Sequence, residues 1–212
     1  MRRRIFTAAI SVIFLLALCA VFTGCDDIDP PGMVKTNLEL VNTGKITDET
    51  LEQFDQSEEE LKKIYEDGMK ESIDMFFEDN ELDVFDTEEA RDKLYTAFEK
   101  LYSNVKFEVS EDYTEEDGAY LVDVTVYPME VWDEAYAYVE DKASNGEYTY
   151  TSEEQLAKEI YNDLFDYIIE HADKPVYTDP VTVKAKIAKD EDGKYSITDE
   201  SLQEIDNAYF VQ

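Results

Sequence analysis

The chain has 212 residues, 43% of them apolar and 13% aromatic, with 52 acidic against 19 basic side chains and a formal charge of −33. Its 15 tyrosines and 11 phenylalanines supply core-forming surface that a disordered acidic tail lacks, and the length suits one domain or two small ones. A phosphate backbone needs a basic footprint, so this charge excludes ordinary nucleic-acid binding; one histidine and two cysteines exclude zinc clusters and a disulfide scaffold.

Arg2, Arg3 and Arg4 precede an apolar run from Ile5 to Phe22, the pattern of an export signal. An uncleaved membrane helix is the alternative, because about 18 apolar residues can just cross a bilayer. The run ends in Val21-Phe22-Thr23-Gly24-Cys25, which resembles the bacterial lipoprotein signal, in which a cysteine behind a small residue receives a diacylglycerol before cleavage. That resemblance implies a signal peptide over residues 1–24, lipidation at Cys25 and a place on the outer face of a cell membrane. Two acyl chains, palmitate for instance, hold a protein stably where one holds it marginally. Loss of the three arginines would take the charge from −33 to −36, so anionic lipids and wall polymers would repel the domain and the lipid must hold it. Asp26 to Gly32, acidic with Pro30-Pro31, reads as part of an extended tether over residues 25–33.

A domain from 34 to 212 follows. Val34 to Val41 predicts a helix ended by Thr43-Gly44, and Leu51 and Phe54 a helical turn after Thr47-Asp48. Ser57-x-x-Glu60 is a capping box, with Leu61, Ile64, Tyr65, Met69, Ile73, Phe76 and Phe77 on one face behind it and Gly68 near that face. Asp86 with Glu89 opens a further helix carried by Ala90, Leu94, Ala97, Phe98, Leu101 and Tyr102. The period then changes to two: Val105, Phe107 and Val109 form a strand. A loose acidic loop at Glu115 to Gly118 leads to Tyr120, Val122, Val124 and Val126, a strand that Pro128 ends.

Helical spacing returns at Val131, Trp132, Ala135, Tyr136 and Val139 until Ser144-Asn145-Gly146. Ser152-x-x-Gln155 caps the next helix, through Leu156, Ile160, Leu164, Tyr167 and Ile168. Val181, Val183, Ala185 and Ile187 make a third strand, Tyr195 and Ile197 a fourth, and Asp199 caps a last helix through Leu202 and Ile205. This order predicts a single α+β domain with helices packed on a small antiparallel sheet, which the resemblance given next implies to be curved.

The pattern resembles a family of Gram-positive bacterial lipoproteins with a cystatin-like or NTF2-like exported domain. The segments that carry the likeness are the signal ending at Cys25, Val34-Lys35 through Thr43-Gly44-Lys45, Lys106 to Val109, Val122 to Pro128, and Asp192 to Ile197. In the last of these, Tyr195 stands where the commoner form has tryptophan. The resemblance implies location and fold class and brings no catalytic residue or cofactor, since a shared fold does not fix function.

Chemistry-bearing residues are sparse. His171 sits in the last turn of a predicted helix, where it complements the helix dipole, and no nucleophile motif accompanies it. Among 52 acidic residues some pair always lies at hydrolase spacing, so carboxylate pairs carry little information. Glu115 and Asp117, and Asp190 and Asp192, are weak metal candidates in acidic turns ending in glycine; neither turn has EF-hand spacing. Tyrosine pairs an apolar body with a polar tip; Tyr138 and Tyr148 fall off the core stripes, and Gly146 to Thr151 reads as an edge or loop exposing alternate tyrosines, which makes Tyr138, Tyr148 and Tyr150 recognition candidates.

The expected function is therefore a non-enzymatic, membrane-tethered binding lipoprotein whose acidic surface favours a cationic peptide or basic protein partner, with no cofactor. A small carboxylate-dependent cell-envelope hydrolase and a structural accessory subunit of an envelope complex are the alternatives.

Overall fold

Asp29 opens the first helix by accepting the Gly32 N–H at 3.2 Å, and Pro30 and Pro31 fill the positions where a missing N–H costs nothing. In a computed structural model, which describes residues 28–54, 56–80, 82, 85–189 and 193–211, this helix, α1, spans Pro30–Thr43. The expected extended tether over 25–33 is corrected at its end: Pro30 to Met33 form the first turn of α1, because proline's fixed φ suits a helix start as well as an extended chain. Gly44 closes α1 at φ +63, its N–H donating to the Leu40 carbonyl at 2.8 Å.

α2 (Asp48–Phe54) and α3 (Glu58–Asp79) follow, and both halves of the Ser57–Glu60 capping box form. Leu61, Tyr65, Met69, Ile73, Phe76 and Phe77 are buried as the periodicity requires. α4 (Glu88–Ser103) is capped by Thr87, which accepts from Ala90 N–H at 3.2 Å, and not by Asp86. The Asp86 carboxylate is occupied instead by the Arg91 guanidinium, which also reaches Asp74 at 2.6 Å and holds the Asp86 carboxyl below its ordinary pKa.

β1 (Lys106–Glu116) and β2 (Ala119–Tyr127) form a hairpin with no loose loop. Glu116 pairs with Ala119, leaving a two-residue turn of Asp117 at φ +52 and Gly118 at φ +78, the type I′ geometry. Between Val109↔Val124 and Tyr113↔Val122 the register shifts, so Ser110, Glu111 and Asp112 face Asp123 alone in a bulge. The Ser110 hydroxyl closes that bulge on the Asp112 backbone at 3.0 Å.

α5 (Val131–Ser144) and α6 (Glu153–His171) carry the chain across to β3 (Val181–Lys189), which returns through β4 (Tyr195–Ile197) to α7 (Asp199–Ala208). Thr198 rather than Asp199 caps α7, and Ser201 Oγ accepts from the Lys186 N–H at 3.0 Å, fastening the helix start to β3.

The strand order is β1-β2-β3-β4, with every neighbour antiparallel. Val122, Val124, Val126, Ala185, Ile187 and Ile197 are buried beneath the helices. Glu108, Asp123, Thr182 and Lys184 are exposed on the opposite face, where Lys184 meets Asp123 at 2.6 Å. Within the helical layer Phe76 meets Phe98, Tyr161 and Phe165 edge to face, with centroids 5.6–6.3 Å apart. The α+β class and the single domain are as the sequence predicts.

Candidate recognition surface

α5 and α6 place two of the three sequence candidates together. Lys142 on α5 donates to Asp163 on α6 at 2.6 Å, and its ammonium lies 5.3 Å from the Tyr138 ring centroid and 5.4 Å from that of Tyr148. Tyr138 is exposed and packs on Tyr167 at 5.1 Å, which in turn stacks on His171 at 4.0 Å. The His171 Nδ1 lies 2.7 Å from the Tyr167 carbonyl, which accepts its proton, so the imidazole ties down the last turn of α6. Tyr148 is half-buried; its hydroxyl is enclosed near Asp163 and closes no hydrogen bond of normal geometry among the described residues. Burial first, and then the nearby Asp163, push its pKa up. Tyr150 stands apart, 51% exposed on the connecting loop. The expectation of alternate exposed tyrosines over 146–151 therefore holds for Tyr150 and not for Tyr148, which packs against the core.

Lysines work mainly as struts in this layer. Lys93 meets Asp166 at 2.7 Å, and Lys100 meets Asp173 at 3.0 Å and the Ile169 carbonyl at 2.9 Å, binding α4 to α6. Two of the cavities among the described residues have volumes of about 30 and 10 Å³. The larger lies among Phe77, Phe85 and Phe165 with Glu89 at its wall, and the smaller beside Asn42 and Asp206. Each of these linings includes one carboxylate, Glu89 in the larger and Asp206 in the smaller. Among the described residues no three His, Cys, Asp or Glu side chains are grouped to hold a metal ion. Glu115 and Asp117 stand exposed at the hairpin, while Asp190, Asp192 and the lipidation candidate Cys25 lie outside the described residues.

The hairpin carries a feature that strand spacing alone missed. Every residue from Glu111 to Gly118 is exposed, and five of them are acids: Glu111, Asp112, Glu115, Glu116 and Asp117. Tyr113 (48% exposed) packs on Tyr120 at 5.6 Å, and Tyr120 on Tyr195 at 5.5 Å, a tyrosine row across three strands. A hydrogen bond to Tyr195 is the chief cause lifting the Tyr120 hydroxyl to about 12. Lys189 lies 4.8 Å from the Tyr195 ring centroid at the far end of the row. The Asp117-Gly118 dipeptide was the available signal, since counting back from a two-residue turn sets Tyr113 diagonally across from Tyr120.

No known protein family matches the chain, and no curated protein is significantly similar to it. Among solved structures it is similar to YcdA, a candidate lipoprotein of Bacillus subtilis, at 18% identity and a TM-score of 0.60, over 87% of this chain. The match spans 56% of the Bacillus chain, little more than half its length. Among the described residues no helix is long and apolar enough to cross a membrane. At this identity the likeness speaks for the fold: seven helices among the described residues, packed on an open four-stranded antiparallel sheet, in one domain.

Proposed function

We propose that this chain is a lipid-anchored protein of the outer face of a cell membrane that binds a basic peptide or protein partner through its acidic surface and performs no chemistry of its own. The observation that carries the reading is the distal β1–β2 hairpin, an exposed arm with five acids and a tyrosine row at its base. From Phe107 through Asp123 the arm carries no lysine or arginine of its own, and Lys184 of β3 pairs with Asp123 at its base, so the negative field is strongest at the distal acids. Elsewhere Lys93, Lys100 and Lys142 are held in pairs with Asp166, Asp173 and Asp163.

Supporting the anchor are the sequence around Cys25 and the likeness to a candidate Bacillus lipoprotein. The cystatin-like or NTF2-like character of the exported domain belongs to the same proposal, and helices covering one face of an antiparallel sheet are consistent with it.

The test is capture of an alternating lysine–threonine octapeptide by the full chain in detergent micelles, beside its glutamate–threonine counterpart, at low and high ionic strength. The reading predicts saturable binding of the basic peptide alone, weakened by salt. Equal binding of both peptides, or binding indifferent to salt, would overturn it.

A further inference from the structure

The main chain of β1 has an open side. In an antiparallel ladder, pairs that exchange hydrogen bonds alternate with pairs that do not. The two-residue turn makes Glu116↔Ala119 a bonded pair, which leaves Glu115↔Tyr120 unbonded, Thr114↔Leu121 bonded and Tyr113↔Val122 unbonded. The N–H and C=O groups of Tyr113 and Glu115 therefore point away from β2. Among the described residues β1 ends the strand order, so no other strand covers that edge and no further backbone hydrogen bond reaches these groups.

An open edge invites strand addition, and the side chains decide by what. A second copy of β1 would bring its own five acids against an arm that carries the same five, and like charges at that spacing are destabilising. The bulge at Ser110 to Asp112 confines any added strand to the distal segment. A segment bearing lysine or arginine meets the opposite sign there, and the exposed Tyr113 ring offers its face to a cation.

We infer that the outer edge of β1 from Tyr113 to Glu116 is a docking edge, to which an extended lysine- or arginine-bearing segment of a partner protein adds as a fifth strand. This rests on the basic-partner reading above and specifies its site and mode.

Two measurements on the full chain in detergent micelles, with the lysine–threonine octapeptide as probe, test the edge. The first is residue-resolved amide hydrogen exchange of the unmutated chain with and without peptide. Docking predicts new protection at the Tyr113 and Glu115 amides. The second compares Glu115→Gln, which removes a charge alone, with Glu115→Pro, which also removes an outward N–H that β2 does not use. Docking predicts about tenfold weaker binding by the proline variant than by the glutamine variant, the loss expected from one or two hydrogen bonds. Binding without protection at those amides overturns the docking edge and leaves the basic-partner reading standing, as does equal affinity of two folded variants. No binding at low salt overturns both. Should the proline variant fail to fold, the exchange experiment decides alone.

Discussion

The Tyr102 hydroxyl donates to the Asp206 carboxylate at 3.0 Å, both residues buried, and joins α4 to α7 across 104 positions of sequence. Beside it Asn42 of α1 donates to the Tyr209 hydroxyl at 2.8 Å, so the first, fourth and last helices meet around polar groups inside an apolar core. Removing a donor from a buried acceptor costs more than the bond itself contributes. Tyr102→Phe is expected to destabilise the fold by about 1–3 kcal/mol, read as a lower urea midpoint at unchanged slope. An unchanged midpoint would contradict the pairing.

Alkaline stability follows from the buried tyrosines. Burial, first among the causes, raises the hydroxyls of Tyr65, Tyr102, Tyr136 and Tyr209 above the ordinary phenol pKa. A folded-state pKa above the unfolded one contributes stability that is complete below about pH 10 and lost as the pH rises toward the folded values. These rings should ionise together with unfolding, so that tyrosinate absorbance and circular dichroism change in step. Smooth ionisation near pH 10 in an intact fold, at about the free-phenol value, would contradict their burial.

Acid acts through other groups. Hydrogen bonds from Ser57 lower the Glu60 carboxyl and the Arg91 guanidinium lowers Asp86. Depressed carboxylates contribute stability above their unfolded pKa values, near 4, and lose it as the pH falls through the folded ones. Ser57→Ala removes the cap of α3 and should lower stability at neutral pH by about 0.5–2 kcal/mol. Because the lost hydroxyl also donates to the Glu60 carboxylate, the difference between the two chains should narrow once Glu60 is protonated, as a thermal melt series against pH would show.

Two left-handed glycines separate strain from contact. Gly44 has φ +63 and a Cβ there would stand 2.9 Å from the Tyr65 ring, whereas Gly146, at φ +71, has open space around it. Replacing either by alanine costs about 1–2 kcal/mol for the backbone conformation. Gly44→Ala should cost more than Gly146→Ala, and equal melting temperatures would place the Tyr65 ring elsewhere.

The anchor has its own test. Cys25→Ala should move the protein out of the membrane fraction and remove the mass of a diacylglyceryl group. Membrane retention at the same processed mass as the unmutated chain would sink the lipid anchor.

Helices were legible wherever a cap and a face agreed. Ser57 with Glu60 and Ser152 with Gln155 both stand where the sequence puts them, and the stripes of α3, α4 and α6 are the buried ones. Misplaced caps fell where two capping residues adjoin: Arg91 occupies Asp86 and leaves Thr87 to cap, and Thr198 takes the place expected of Asp199. Local sequence holds no sign of a partner five residues on. The tyrosine row was hidden for another reason: the bulge sets Ser110, Glu111 and Asp112 against Asp123 alone, which shifts the register by two residues while keeping Tyr113 on the face of Val109, and a period-two pattern does not show such a shift. Tyr148 and Tyr150 share a sequence context and part company because only Tyr148 meets Lys142.

The most direct test of the whole account is retention of the fluorescent lysine–threonine octapeptide by intact host cells. Three chains would be compared at equal expression: unmutated, Cys25→Ala, and one carrying Glu111→Gln, Asp112→Asn, Glu115→Gln, Glu116→Gln and Asp117→Asn. The last change keeps a residue that tolerates the positive φ of the turn. The account predicts surface label on cells with the unmutated chain and its loss with either variant, by release of the protein in one and loss of the charged arm in the other. Undiminished label on cells carrying the neutralised arm would contradict it.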